Sequence, residues 1–389
     1  MSRALRAARL GAWIVVAAGG ALVARRLAHD GARTDGGVAD WTAAERIAAR
    51  WLAAAPGRLS DAELAGTADA WAATVRAVVP VLERHLGSPL PGVIERHAVV
   101  SRAGWVAANV GTFRQLADRL TPLLGPVPPA GSPLAVARGA GRWMTTRQIA
   151  FLLGWRGGRV LGQYDVAILS AEQAPGRLLF VEENIRRVAD ELDLPLGAFR
   201  TWIALHEATH AGELEANPWV RPWLRDRLER QLALVVRDAG GLGGAGVVRL
   251  VGRLRDVRRE GVSAGLLPPE ARVGFREVQR MMSLLEGYGD WVMDHAGAEL
   301  LPDVARMRRA FEGRRARSRT GPDRFVARLT GMDLKLEQYH RGERFIAAIV
   351  AGGGDDALRW LWSGPDAFPT EDEMDHPARW VRRMAGTEA

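Results

Sequence analysis

The sequence contains no cysteine, and this absence excludes several kinds of site. Disulfides, thiolate nucleophiles and cysteine-ligated metals are impossible, so any metal site must use histidine and carboxylate side chains. The lack of thiols favours neither an oxidising nor a reducing compartment. With 389 residues, 48% of them hydrophobic, the chain is long enough for a sizeable core and for about two or three domains.

Lysine is almost absent as well. Of 53 basic residues only Lys335 is a lysine, so 52 are arginines, and they are scattered along a chain rich in alanine and glycine. A net charge of +8 would suit a nucleic-acid partner. However, the sequence has no helix-turn-helix signature, no zinc-finger spacing and no interleaving of aromatic with basic residues. We therefore predict no nucleic-acid partner.

An uncharged run from Leu10 to Ala24 lies near the N-terminus, between arginines at 3, 6 and 9 and arginines at 25 and 26. Its length is short for a spanning helix and typical of a signal-peptide core, but no clear cleavage site follows. Residues 1–30 are therefore a possible anchor or signal segment, with a buried or interfacial helix as the alternative. The predicted location stays open between the cytoplasm and a membrane reached through residues 10–24.

Helical periodicity dominates the rest of the chain, and the predicted class is mainly α (α+β). A helical domain is expected at 31–140 and a metal-binding domain at 141–389. Helices are predicted at about 41–124 with breaks at 56–57 and 87–92, at about 143–153, 196–211, 277–296 and 334–350, with Gly212 ending the 196–211 helix. Two short apolar runs, Val166–Ser170 and Leu178–Val181, predict a β-hairpin.

Residues 202–210 read WIALHEATH and carry the strongest functional signal. His206 and His210 are four residues apart, so on a helix both imidazoles point the same way and suit one tetrahedral zinc ion. Glu207 lies beside them and can take a proton from an attacking water. Chance produces H-E-x-x-H in roughly 0.01 of chains with this histidine content. The alternative is a pair of histidines on a buried helix face without metal.

A zinc site of this kind needs a third protein ligand. The metzincin extension of the motif is absent, because its further positions hold Glu213 and Ala216. A carboxylate from another helix is the alternative, and residues 284–294 read LLEGYGDWVMD. Glu286 and Asp290 share one face of that predicted helix. We expect Glu286 to bind the metal and Asp290 to accept the second N–H of a ligand histidine. Three rivals for the third ligand stay open: Glu213, Glu215 and His295.

Together with RAGWV at 102–106, LGQYD at 161–165 and LKLEQY at 334–339, these motifs resemble a bacterial family of zinc metalloproteases. Some of its members are labelled as associated with deazaflavin-coenzyme biosynthesis. The resemblance covers about residues 40–385 and implies a small zincin-like core of the gluzincin type. It implies histidine and glutamate zinc ligands at the positions above and a glutamate base, with physiological substrates unassigned.

Further candidates concern the oxyanion of a zinc hydrolase, which a hydroxyl or an imidazole N–H commonly stabilises. Tyr339, His340 and Tyr164 are candidates, and a buried structural tyrosine is the alternative for each tyrosine. The glycine-rich stretch Gly241–Gly246 matches a dinucleotide fingerprint but follows a charged helical pattern. We therefore predict a linker there and no cofactor besides zinc.

The sequence thus predicts a zinc-dependent hydrolase, a metallopeptidase that acts on a peptide or protein. The runner-up is a zinc-stabilised scaffold or partner-binding protein without efficient peptidase activity. Glu207 favours the enzyme, because a structural zinc site needs no base.

Overall fold

The structure is a computed structural model that describes residues 37–120, 127–165, 176–240, 269–317 and 332–387. It divides the chain into two compact units. Unit 1 takes in Met1–Ala55 and Ala103–Gly158, and unit 2 takes in Pro56–Arg102 and Arg159–Ala389. The domain boundaries expected at residues 30 and 140 stay predictions.

Helices make up most of the described chain, which confirms the mainly α class with a small β element. The elements, in chain order, are α1 Trp41–Ala53, α2 Asp61–Ala65, α3 Ala68–Leu86, β1 His97–Val100, α4 Arg102–Leu120, α5 Pro133–Gly157, β2 Gly162–Asp165, β3 Arg177–Val181, α6 Glu182–Glu191, α7 Leu196–Glu215, α8 Val220–Gly240, α9 Pro269–Leu300, α10 Val304–Arg317, α11 Met332–Trp362, α12 Glu371–Asp375 and α13 Pro377–Thr387. Helix α11 is kinked at Gly354, whose φ is 65°.

In unit 1, α1 packs against α5. The Asp40 carboxylate caps α1 by accepting the N–H of Ala43 at 2.9 Å, and the Asp40 N–H donates to Thr146 of α5 at 2.9 Å. Ser132 caps α5, and Pro133 occupies the first turn, where no N–H is needed. Residues 133–142 were predicted outside the helix and prove helical, because this cap and proline start α5 ten residues earlier.

Unit 2 contains a three-stranded sheet of order β1-β3-β2. Strand β3 runs parallel to β1, with His97 opposite Leu178, and antiparallel to β2, with Tyr164 opposite Leu178. The prediction of a strand at Leu178–Val181 is confirmed, whereas the predicted strand at 166–170 lies outside the described residues. The helix predicted across 41–124 is wrong at residues 97–100, which form strand β1. They are extended because their backbone pairs with β3, which lies far along the chain.

Helix α7 runs through the middle of the unit 2 core. Helices α3 and α9 and strand β2 pack around it, and α11 packs on α9. The prediction that Gly212 ends α7 is wrong, because the helix continues to Glu215. Gly212 lies against Leu86 instead, where a Cβ atom would overlap the leucine side chain. The glycine is needed for close packing and not for a helix end.

Among the described ranges, no helix is long and apolar enough to cross a membrane. The N-terminal apolar run at 10–24 and the glycine-rich stretch at 241–246 both lie outside the described residues. The predictions made for these two segments stay predictions.

Candidate metal centre

Two histidines one turn apart on α7 form the base of the site. The helix starts after Pro195, whose carbonyl accepts the N–H of Phe199 at 2.9 Å, and it contains no internal proline. The i, i+4 spacing turns both imidazoles toward α9. The Nε2 atoms of His206 and His210 lie 3.3 Å apart, and both side chains are partly accessible to solvent.

Helix α9 supplies a carboxylate to the same point. Oε2 of Glu286 lies 3.9 Å from Nε2 of His206 and 3.9 Å from Nε2 of His210. The three ligand atoms lie within 4.8 Å of one another and are the one group in the described ranges able to hold a metal ion. Gly289 of α9 faces His210, and a Cβ atom there would lie 3.6 Å from Cε1 of that ring, which is an ordinary contact.

The donor set fits zinc. With Zn–N bonds of about 2.0–2.1 Å and tetrahedral angles, two imidazole nitrogens are about 3.3 Å apart. The 3.3 Å between the Nε2 atoms of His206 and His210 agrees with that value. The 3.9 Å between Oε2 of Glu286 and Nε2 of His206 is about half an ångström longer than the roughly 3.4 Å expected between an imidazole nitrogen and a carboxylate oxygen on the same zinc ion. Three ligands leave a fourth position open, as in catalytic zinc sites.

A carboxylate on the histidine helix orients one ligand. Nδ1 of His210 lies 2.7 Å from Oε2 of the buried Glu213, so Nδ1 donates and Nε2 is free to face a metal. The other oxygen of Glu213 is buried without a hydrogen-bond partner. Nδ1 of His206 lies 3.2 Å from Sδ of Met293. Glu213 thus holds at His210 the position that the sequence suggested for Asp290, and the role of Asp290 itself stays a prediction.

The two remaining rivals of Glu286 lie in other contacts. Glu215 accepts two hydrogen bonds from the guanidinium of Arg96, each 2.9 Å long. His295 is exposed and its Nδ1 lies 2.7 Å from the carbonyl oxygen of Trp291. Neither residue belongs to the cluster of three ligand atoms.

Glu207 is buried between α7 and strand β2. Its Oε2 accepts the backbone N–H of Tyr164 at 3.0 Å. Burial raises the pKa of the Glu207 carboxyl to about 7, while nearby His210 lowers it and the negative charge of Glu286 raises it. A carboxyl with a pKa near neutrality suits the exchange of protons at physiological pH.

Negative charge is in excess around the two imidazoles. Burial disfavours the charged form of His210, but neighbouring carboxylates, that of Glu213 first, outweigh it and raise its pKa. Burial also raises the pKa of Glu213, as do the charges of Glu286 and Asp290. A divalent cation between the ligand atoms would offset this repulsion, which supports the donor set as a metal site.

The three candidates for oxyanion stabilisation differ in what surrounds them. The hydroxyl of Tyr164 accepts the N–H of Gly176 at 3.0 Å and a guanidinium N–H of Arg221 at 2.8 Å, and it donates to Glu215. Burial first, then Glu215, raises its pKa to about 12. Tyr339 and His340 belong to α11, but their side chains lie outside the described residues.

Two contacts were not predicted from the sequence. Glu213 was expected only as a rival metal ligand, although a glutamate three residues after a histidine on a helix can reach its Nδ1 atom. Nothing in the local sequence indicates that Gly162 lies against Glu207, where a Cβ atom would be 2.5 Å from Cγ.

Comparison with known proteins identifies a related family and a related structure. The sequence model of the zincin-like metallopeptidase family matches residues 39–381. The chain is also similar to a crystal structure from Chloroflexus aurantiacus that is described as "a putative hydrolase with a novel fold". The two are 34% identical, with a TM-score of 0.64, and the match covers 89% of this chain and 99% of the other. No curated protein matches the chain.

Proposed function

This chain belongs to the zincin-like metallopeptidase family, and we propose that it is a zinc-dependent hydrolase that cleaves peptide bonds with Glu207 as its general base. One observation carries the proposal. Nitrogen atoms of His206 and His210 and an oxygen of Glu286 converge within 4.8 Å, and a buried carboxyl follows the first histidine. A purely structural metal site has no need of that carboxyl.

His206, His210 and Glu286 would hold the zinc ion, with Glu213 fixing the ring of His210 through Nδ1. When bound, zinc acts as a Lewis acid that polarises a carbonyl and makes water a stronger acid. The partial exposure of both histidines gives water and substrate access to this point, and three protein ligands would leave a fourth position on a bound zinc ion for them.

Glu207 moves the proton. The N–H of Tyr164 engages Oε2, which leaves Oε1 to take a proton from the attacking water and to return it to the leaving amine. Burial raises the pKa of the Glu207 carboxyl, which favours uptake of the proton, and the positive charge of a bound zinc ion would oppose that rise and favour return of the proton. Strand β2 has a described partner, β3, on one side, and the N–H of Tyr164 stays bonded to Glu207, so an extended peptide would pair with the remaining backbone groups of the other edge.

The experiment combines zinc content with hydrolysis of a broad peptide library. We expect about one zinc per chain and cleavage by the wild type. Glu207→Gln should keep zinc and lose cleavage, because an amide cannot take the proton. Glu191→Gln, a matched change at an exposed carboxylate in an ion pair with Arg187, should keep both.

Three outcomes would contradict the proposal. Full zinc in both His206→Ala and His210→Ala would remove the metal site. Equal cleavage by the wild type and Glu207→Gln would remove the base. Zinc binding without cleavage of any library peptide by the wild type would favour the zinc-stabilised scaffold.

A further inference from the structure

The outer face of α5 in unit 1 is apolar. Leu134 is 67% exposed and Met144 is 51% exposed, and Phe151 and Leu152 are also exposed. At 100° per residue these four side chains fall within an arc of about 100° on the helix, which we call the α5 apolar face. Trp51 of α1 extends it, because its half-exposed ring meets Phe151 edge-on at 6.2 Å. The exposed Gln148 falls within the same arc, so the face is apolar except for one amide. Single exposed apolar residues are ordinary, but several on one helix face mark an interaction surface.

Positive charge borders this face on both sides. Helix α5 carries four arginines and no acidic residue. Arg138 and Arg156 follow one border of the α5 apolar face, and Arg147 lies beyond the other, with its guanidinium 3.8 Å above the ring of Trp143. An apolar stripe flanked by arginine and tryptophan is typical of helices that lie in the headgroup region of a bilayer.

We propose that the α5 apolar face docks unit 1 onto an anionic lipid bilayer. The apolar side chains enter the boundary between headgroups and acyl chains, and the flanking arginines bind lipid phosphates. Trp143 and Trp51 suit the same depth, because indole rings favour the interface. A second copy of this chain fits less well. Symmetric pairing of α5 with itself brings arginines together without any acid on the helix to balance them.

The absence of cysteine allows a site-specific test on the full chain. Leu134→Cys and Met144→Cys place an environment-sensitive fluorophore on the α5 apolar face. Val273→Cys is the control, at a 55% exposed apolar position in unit 2. Each labelled protein is mixed with vesicles of phosphatidylcholine alone or with vesicles in which about a quarter of the lipid is phosphatidylglycerol. With anionic vesicles we expect the emission of the labels at 134 and 144 to shift to the blue and that of the label at 273 to stay unchanged. This expectation does not depend on whether residues 10–24 also bind the bilayer.

A second arm tests the charge. The triple change of Arg138, Arg147 and Arg156 to Gln should weaken binding to anionic vesicles. The emission of the label at position 144 measures that binding. The loss should be about fivefold for each arginine removed, from about 1 kcal/mol per charge. A matched triple change at three exposed unit 2 arginines, Arg84, Arg230 and Arg359, should weaken it much less.

Several results would overturn the proposal. One is the absence of a shift at 134 and 144 with anionic vesicles. Another is an equal shift with neutral vesicles, which would remove the role of the arginines. A shift that grows with protein concentration without vesicles would assign the face to a second copy of the chain.

Discussion

Gly162 leaves open the space in which the side chain of Glu207 lies. A Cβ atom at Gly162 would be 2.5 Å from Cγ and 2.8 Å from Oε1 of Glu207. Two residues along the same strand, the N–H of Tyr164 holds the other oxygen of Glu207 at 3.0 Å. Strand β2 thus makes room for the Glu207 carboxyl at Gly162 and holds it with a hydrogen bond at Tyr164.

The first prediction follows from that contact. Gly162→Ala should lower the free energy of unfolding by about 1–3 kcal/mol, because the added methyl overlaps a buried side chain. In the Glu207→Ala background the same change should cost little, since the overlapping atoms are gone. Urea unfolding of the four proteins measures this coupling without reference to activity.

The matched control is Gly197→Ala, where an added Cβ meets no atom within 4 Å. It should be neutral or slightly stabilising in both backgrounds. If Gly162→Ala lowers the free energy of unfolding equally with and without Glu207, the added methyl does not act through the Glu207 side chain. If it does act through Glu207 and the proposed function holds, Gly162→Ala should also keep zinc and lose hydrolysis.

The second prediction separates Glu213 from Asp290. Glu213→Gln should weaken zinc binding about 10- to 100-fold, because the amide no longer fixes Nδ1 of His210 as the donor. Asp290→Asn should cost less, since the carboxylate on Nδ1 of His210 is that of Glu213. Competition with a chromophoric chelator measures both affinities. A larger loss in Asp290→Asn would return the orienting role to Asp290.

The helix that carries the motif was predictable because its signals are local. The His206–His210 spacing fixes the ring directions within one turn. The apolar residues before His206 and the lack of an internal proline predict a buried helix. Glu286 was predicted because it and Asp290 lie one turn apart on an apolar helix, in a cysteine-free chain that needs a carboxylate ligand, with Glu213, Glu215 and His295 left open as rivals. The structure brings that residue to both histidines.

The missed features depend on contacts between distant residues. The residues of β1 pair with β3 some eighty positions later, and its four residues lie between helices. Gly287 within a predicted helix indicates a close approach of helices, and it lies where the α9 backbone meets Gly342 of α11, a contact in which a Cβ atom would overlap the partner backbone. The partner of each contact is not written in a local pattern, because it depends on how whole elements pack.

The third prediction concerns Tyr164. Tyr164→Phe should lower the free energy of unfolding by roughly 1–3 kcal/mol, because Arg221 and Gly176 lose an acceptor and Glu215 loses a donor. Hydrolysis per folded molecule should change little, since the hydroxyl is already engaged. Thermal unfolding and active-site-normalised rates check the two parts. Unchanged stability with a rate loss of about 100-fold or more would assign the oxyanion role to Tyr164.

The last prediction concerns Glu286 and the metal together. An ion that binds only the folded chain stabilises it by about 2.7 kcal/mol when its free concentration is 100 times the dissociation constant. Zinc should therefore raise the Tm of the wild type, and chelation should lower it. Glu286→Ala should abolish both responses, because two histidines alone leave the site incomplete.

The metal-free state separates lost binding from misfolding. Without zinc, Glu286→Ala should have a Tm close to that of the wild type. The charge of Glu286 raises the pKa values of Glu207 and Glu213, a repulsion that its removal relieves, and it also raises the pKa of His210, an attraction that its removal loses. Differential scanning calorimetry with zinc and with chelator gives all four Tm values. A zinc response retained in Glu286→Ala would place the third ligand elsewhere, with Glu213 and His295 next to test, and the gluzincin arrangement would fall with it.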